Sequence, residues 1–140
     1  MGYKVVYFTR TGNSKRVAQK LAEKMSCELV EITDNKNWNG IFGFIKGGYY
    51  ASKNKEVVIK TSKNVEPGDE LILVSPIWAG GLVPAVKVFL NSVETHKIHL
   101  VVTSKANTVK NPEAFKSVTD IIQSRKNEDE VLEKFVNKLG

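Results

Sequence analysis

Val5-Val6-Tyr7-Phe8-Thr9-Arg10-Thr11-Gly12-Asn13-Ser14 is the stretch whose reading decides the fold. Its first half is an unbroken apolar run of β-formers, the pattern of a strand buried on both faces, expected over Tyr3–Thr9. Its second half is a polar turn with one glycine. Beyond it, Val17, Ala18, Leu21, Ala22 and Met25 recur at three- and four-residue spacing, which predicts an amphipathic helix over Ser14–Met25. A buried strand passing through a short turn into a helix is the opening unit of a parallel α/β sheet. Such turns lie at the carboxyl edge, where these sheets bind phosphates. The backbone N–H groups at a helix start lack intrahelical partners and have the positive end of the helix dipole behind them. Thr9, Thr11 and Ser14 add hydroxyl donors, Gly12 permits unusual dihedrals, and Asn13 or Ser14 is expected to cap the helix. Thr9, Arg10, Thr11, Gly12, Asn13 and Ser14 are therefore the candidate phosphate-binding set. The turn contains neither Gly-x-Gly-x-x-Gly nor Gly-Lys-Ser/Thr, so a dinucleotide fingerprint and a P-loop are not indicated. On spacing alone, the same residues also suit a plain helix cap.

Outward from this unit, strand and helix patterns alternate. Glu28–Thr33 reads as a short strand, and Leu71–Ser75 as a buried strand launched by the turn Glu66-Pro67-Gly68-Asp69. Pro84–Val93 is a helix with proline in its first turn, Ile98–Ser104 a further strand, and Asn127–Leu139 a terminal amphipathic helix. Val118–Gln123 is assigned as a fifth strand, with a helix over Glu113–Ser124 as its competitor. Asn35–Lys55, rich in glycine and aromatics, shows no clean period. The alternation predicts an α/β fold, a parallel sheet with helices on both faces, and the length of 140 residues fits one domain spanning 1–140.

Two more loops follow predicted strands. Ser75-Pro76-Ile77-Trp78-Ala79-Gly80-Gly81 places an indole between proline and a glycine pair. There Trp78 can stack on a flat heterocycle or plug the loop from beneath. Thr103-Ser104-Lys105-Ala106-Asn107-Thr108 carries no aromatic, no glycine and no acid.

Thr9-x-Thr11-Gly12-x-Ser14 after Val5-Val6-Tyr7-Phe8 resembles the flavodoxin phosphate-loop signature, Thr/Ser-x-Thr-Gly-x-Thr/Ser, at every fixed position. Ser-Pro-Ile-Trp-Ala-Gly at 75–80, followed by Pro84, Val86, Phe89 and Leu90, is similar to the ring-binding loop and helix of that family. Gly40, Gly43-Phe44, Gly47-Gly48-Tyr49 and Ala51 resemble the segment after the second strand of short bacterial flavodoxins. The resemblance implies a flavodoxin-like doubly wound parallel five-stranded sheet, strand order 2-1-3-4-5. It also implies non-covalent flavin mononucleotide (FMN) and an electron carrier more than a self-contained enzyme. In that picture Thr9–Ser14 hold the phosphate, Pro76, Ile77, Trp78, Ala79 and Gly80 the ring, and Ser104, Lys105 and Asn107 its other edge. No residue is expected to act as acid or base. The rivals are an FMN-dependent oxidoreductase, such as a quinone reductase or a flavodoxin-like protoporphyrinogen oxidase, and a flavin-free binding module on the same fold.

Charge departs from the family habit, which is acidic. The chain carries a net +6, and all of the excess falls in residues 1–60. No acid lies between Asp34 and Glu56, whereas Lys36, Lys46, Lys53 and Lys55 do. An acidic redox protein is the expected partner, docking with a salt-sensitive rate, rather than nucleic acid. Lys105 near a flavin would favour the reduced, anionic ring and raise its potential. At ~6 Å and an effective dielectric of ~20 the Coulomb energy is about 3 kcal/mol before screening. The single cysteine, Cys27, can form no internal disulfide, which points to a reducing cytoplasm and a small half-buried side chain. No run approaches the ~20 apolar residues of a membrane span, and no signal peptide is read at the start. His96 and His99, placed on a strand edge, would face opposite sides, so no metal site is expected. A monomer is expected.

Overall fold

The computed structural model describes residues 3–10, 12–34, 59–66, 68–78, 81–104 and 114–139. In chain order they form β1 (Lys4–Tyr7), α1 (Asn13–Met25), β2 (Glu28–Asp34), β3 (Ile59–Thr61), β4 (Leu71–Trp78), β5 (Gly81–Leu82), α2 (Pro84–Leu90), β6 (Ile98–Ser104), β7 (Ser117–Ile122) and α3 (Glu128–Leu139). The segment Asn35–Lys55 lies outside the described residues.

One seven-stranded sheet runs β3-β2-β1-β4-β6-β7, with β5 paired to β4 off that path. The five-stranded expectation is thereby corrected. β3 joins the β2 edge antiparallel, Ile32 opposite Thr61, and β5 folds back on β4, Ile77 opposite Leu82. The mutually parallel strands lie side by side as β2-β1-β4-β6-β7. β4 continues through Trp78 instead of stopping at Ser75, because Gly81–Leu82 supplies its last residues with a partner. β7 settles the competition at 117–122: these residues pair parallel with β6, Leu100 opposite Val118, and do not coil into a helix. α2 ends at Leu90, short of Val93, where Asn91 and Ser92 N–H groups donate to Val88 and Phe89 carbonyls in a tighter turn.

The alternation of side chains divides the core into two layers. Val6, Val30, Leu71, Leu73, Ile98, Leu100 and Val102 face Val86 and Phe89 of α2. Val5, Tyr7, Ile72, Val74, Val101 and Ile121 face Val17 and Leu21 of α1 and Leu132 and Phe135 of α3. The sheet is thus covered on both faces, which is why Val5–Phe8 and Leu71–Val74 of its central strands are apolar without interruption. α1 stops in a Schellman-type turn. Ser26 adopts a left-handed conformation at φ 51°, and the Cys27 N–H donates to the Ala22 carbonyl at 3.1 Å. Cys27 packs half-buried at the margin of the α1 layer, and burial pushes its thiol pKa up.

An ion-pair strap ties α1 to α3. The Arg16 guanidinium donates to both Glu128 oxygens, at 2.6 and 3.1 Å. Lys20 donates to Glu128 at 2.8 Å and to Asp129 at 2.7 Å, and Lys24 to Glu133 at 2.8 Å. The Arg16 fork, with Lys20 beside it, pulls the Glu128 carboxyl down from its ordinary 4.5 to about 2. A depressed carboxylate stabilises the fold above its unfolded pKa, and that contribution is lost as pH falls through 4.5 towards 2. Screening at this partly exposed strap leaves about 1 kcal/mol of it. Glu128→Gln is therefore expected to be less stable than wild type at pH 7, with the gap narrowing steadily between about pH 5 and pH 2. Urea denaturation of both proteins across that range checks it.

Candidate functional site

The parallel pairing brings the carboxyl ends of β1, β4 and β6 to one edge. Tyr7 lies opposite Val74, and Pro76 opposite Thr103. The turns that follow these strands are the three that the sequence singled out.

The first turn is built around Gly12, which sits at φ 97°, ψ −8° and forms the N-cap of α1. Neither Asn13 nor Ser14 caps the helix, contrary to expectation: both already lie within it, and no side chain bonds the cap. The turn is closed instead by Thr9, whose Oγ1 accepts the Gly12 N–H at 2.9 Å, while the Gly12 carbonyl accepts the first helical N–H, from Arg16, at 2.9 Å. Accepting that bond leaves the Thr9 hydroxyl hydrogen to donate elsewhere. Asn13 is engaged by Arg16 through its Oδ1 at 2.9 Å, linking the turn to the ion-pair strap. Ser14 points inward, 1% exposed, and its hydroxyl meets the Thr103 hydroxyl at 2.9 Å. Arg10 lies on the turn, half-buried; Thr11 is outside the described residues.

The other two turns are described in part. Pro76, Ile77 and Trp78 form the end of β4. Ile77 was expected against a ring, but its side chain is 8% exposed and packs in the α2 layer beside Val83. Ala79 and Gly80 lie outside the described residues. Ser104 ends β6, with Lys105 and Asn107 beyond the described part. Nothing in the local sequence marks Thr103: it extends the run of β6, and its hydroxyl meets that of Ser14 across the fold. The histidines do not share a strand. His96 lies in an exposed single turn, Thr95–Lys97, while His99 is buried on β6 between Tyr3 and Phe135, its Nδ1 2.6 Å from Ser117 Oγ.

The donor set of the first turn suits an anion. The first turn of α1 holds no acid and its N–H groups face no side-chain cap. Among the described residues, nothing lies within 4 Å of where a Gly12 Cβ would project. A helix start of this kind is an anion site in many α/β proteins.

Solved structures share this architecture. A flavoprotein from Lactobacillus acidophilus, crystallised in complex with FMN, superposes with a TM-score of 0.62 at 14% identity, covering 92% of this chain and 97% of that one. The fold is shared with flavoproteins. Two proteins named “putative flavoprotein” match as well. The one from Bacteroides eggerthii has a TM-score of 0.67 at 16% identity, with 93% and 92% of the two chains covered. The one from Bacteroides uniformis has a TM-score of 0.64 at 16% identity, with 93% and 97% covered. Neither a family model nor a curated protein matches the sequence. Among the described residues, no helix is long and apolar enough to cross a membrane.

Proposed function

We propose that this chain is a flavodoxin-like electron carrier that binds FMN non-covalently at the shared edge of β1, β4 and β6. The observation that carries the proposal is the Gly12 turn. A left-handed glycine caps a helix start that has no side-chain cap bond and no acid in its first turn, in a fold shared with a protein crystallised with FMN. The first-turn N–H groups and the Thr9 and Ser14 hydroxyls hold the phosphate, and Arg10 adds positive charge at the same turn. The backbone of Pro76, Ile77 and Trp78 borders the ring. FMN, when bound, supplies one- and two-electron chemistry; the chain's own residues bind, orient and set the field around it. The partner we favour is an acidic redox protein, met through the excess positive charge of the first half of the chain.

Titration of the purified protein with FMN tests the reading. Saturable binding, seen as quenched flavin fluorescence, is expected; a protein that FMN cannot colour overturns it in favour of a flavin-free binding module. Added NAD(P)H and quinone should not be consumed by the protein alone, and steady turnover would replace the carrier with an oxidoreductase.

Lys105 gives a second expectation. If it stands beside the ring, Lys105→Gln lowers the reduction potential of the bound flavin by on the order of tens of millivolts, after screening of the Coulomb term. Redox titration of the two proteins reads this directly, and equal potentials remove Lys105 from the site.

A further inference from the structure

We propose that Thr103 is a positioning residue for the phosphate site: it sets the direction of the Ser14 hydroxyl and thereby the affinity for the phosphate of a flavin nucleotide. The inference rests on the FMN reading given above and adds a residue to it.

Thr103 occupies the α1-facing side of β6, two residues beyond Val101, at the last layer before the strand ends. A valine has almost the same shape, and the neighbours Val101 and Val102 show that the strand accepts it. The threonine therefore adds one buried hydroxyl, 5% exposed, which meets Ser14 Oγ at 2.9 Å. Ser14 is equally buried and sits in the first turn of α1, two residues after the Gly12 cap. A buried hydroxyl pair contributes little net stability, since replacing both members by apolar groups is nearly neutral. Its effect is on orientation.

Each hydroxyl has one hydrogen and two lone pairs. If Ser14 donates to Thr103, Ser14 turns only lone pairs towards the turn, and these repel a phosphate. If Thr103 donates to Ser14, the Ser14 hydrogen is left for an acceptor at the turn. A bound phosphate selects the second arrangement, and Thr103 is the group that makes it available. Without Thr103, no partner holds the Ser14 hydroxyl in that direction, and its rotation is free to turn the hydrogen away from the phosphate.

The test compares FMN with riboflavin, which carries the same ring and lacks the phosphate. Thr103→Val is expected to weaken FMN binding about 3- to 10-fold, the range of one ordinary hydrogen bond, and to leave riboflavin binding unchanged. Thr103→Ser, which keeps the hydroxyl, is expected to restore the wild-type FMN-to-riboflavin ratio. Ser14→Ala and Ser14→Ala/Thr103→Val are expected to bind FMN equally, because Thr103 acts only through Ser14. The double variant leaves no unpaired buried hydroxyl and serves where Thr103→Val folds poorly. An unmoved ratio in Thr103→Val, or additive losses in the double variant, overturns the inference while the FMN reading stands. Absence of FMN binding by wild type overturns that reading, and the inference with it.

Discussion

Leu21→Ala is expected to lower the free energy of unfolding by about 3–5 kcal/mol, with no change in the surface exposed on unfolding. Leu21 is fully buried in the layer formed by Val5, Tyr7, Ile72 and Val74 of the sheet and Leu132 of α3. Two costs add: lost transfer free energy, and a cavity between helix and sheet that the flanking strands cannot close. The strands are pinned in register on both sides of β1, so collapse is limited and the upper part of the range is expected. A comparison on the same helix is Lys24→Ala. It removes an ion pair with Glu133 whose partners are 36% and 61% exposed, and is expected to change stability by less than about 0.5 kcal/mol. Denaturant titration of the three proteins decides the matter. A loss near 1 kcal/mol in Leu21→Ala would show that α1 is not anchored to the sheet as described.

Gly12→Val is expected to cost about 1–3 kcal/mol of stability and at least tenfold in FMN affinity, whereas Gly12→Asn should cost a fraction of either. The cause is backbone strain and not crowding, because a Cβ at Gly12 meets no atom of the described residues within 4 Å. At φ 97° a β-branched side chain clashes with its own backbone, so the valine variant must move the turn to relieve it. Moving the turn breaks the Gly12 N–H to Thr9 Oγ1 bond and redirects the first N–H groups of α1, which are the proposed phosphate donors. Asparagine tolerates left-handed dihedrals and separates strain from bulk. Thermal melts and FMN titrations of both variants supply the readout. Equal losses in the two would mean that the space above Gly12 matters more than its dihedral.

Much of the fold was legible because its elements are locally periodic. The apolar run at residues 5–8 and the three- and four-residue spacing from Val17 to Met25 each encode a buried strand and a one-sided helix without help from elsewhere. The β7 assignment was harder, because Ser117–Asp120 are only half-buried on an edge and carry a weak pattern; pairing with β6 decided it. β3 and β5 leave no pattern in the sequence. Three and two residues are too few to show a period, and they form only because β2 and β4 offer them free backbone groups.

The same division runs through the first turn. The residues Thr9 to Ser14 announced a strand-to-helix turn with glycine and hydroxyls, since turn chemistry depends on near neighbours along the chain. By itself the sequence determined that much, along with the alternation of strands and helices that calls for a sheet covered on both faces. Only the tertiary structure decided which groups the turn spends internally. Gly12 took the cap in place of Asn13 or Ser14, Arg16 drew Asn13 into the strap with Glu128, and Ser14 turned inward to Thr103, 89 residues away. The physical reason is that a short polar side chain has several nearly equal local partners. Which of them it takes depends on where the register of a distant strand and the packing of a distant helix place their own polar atoms.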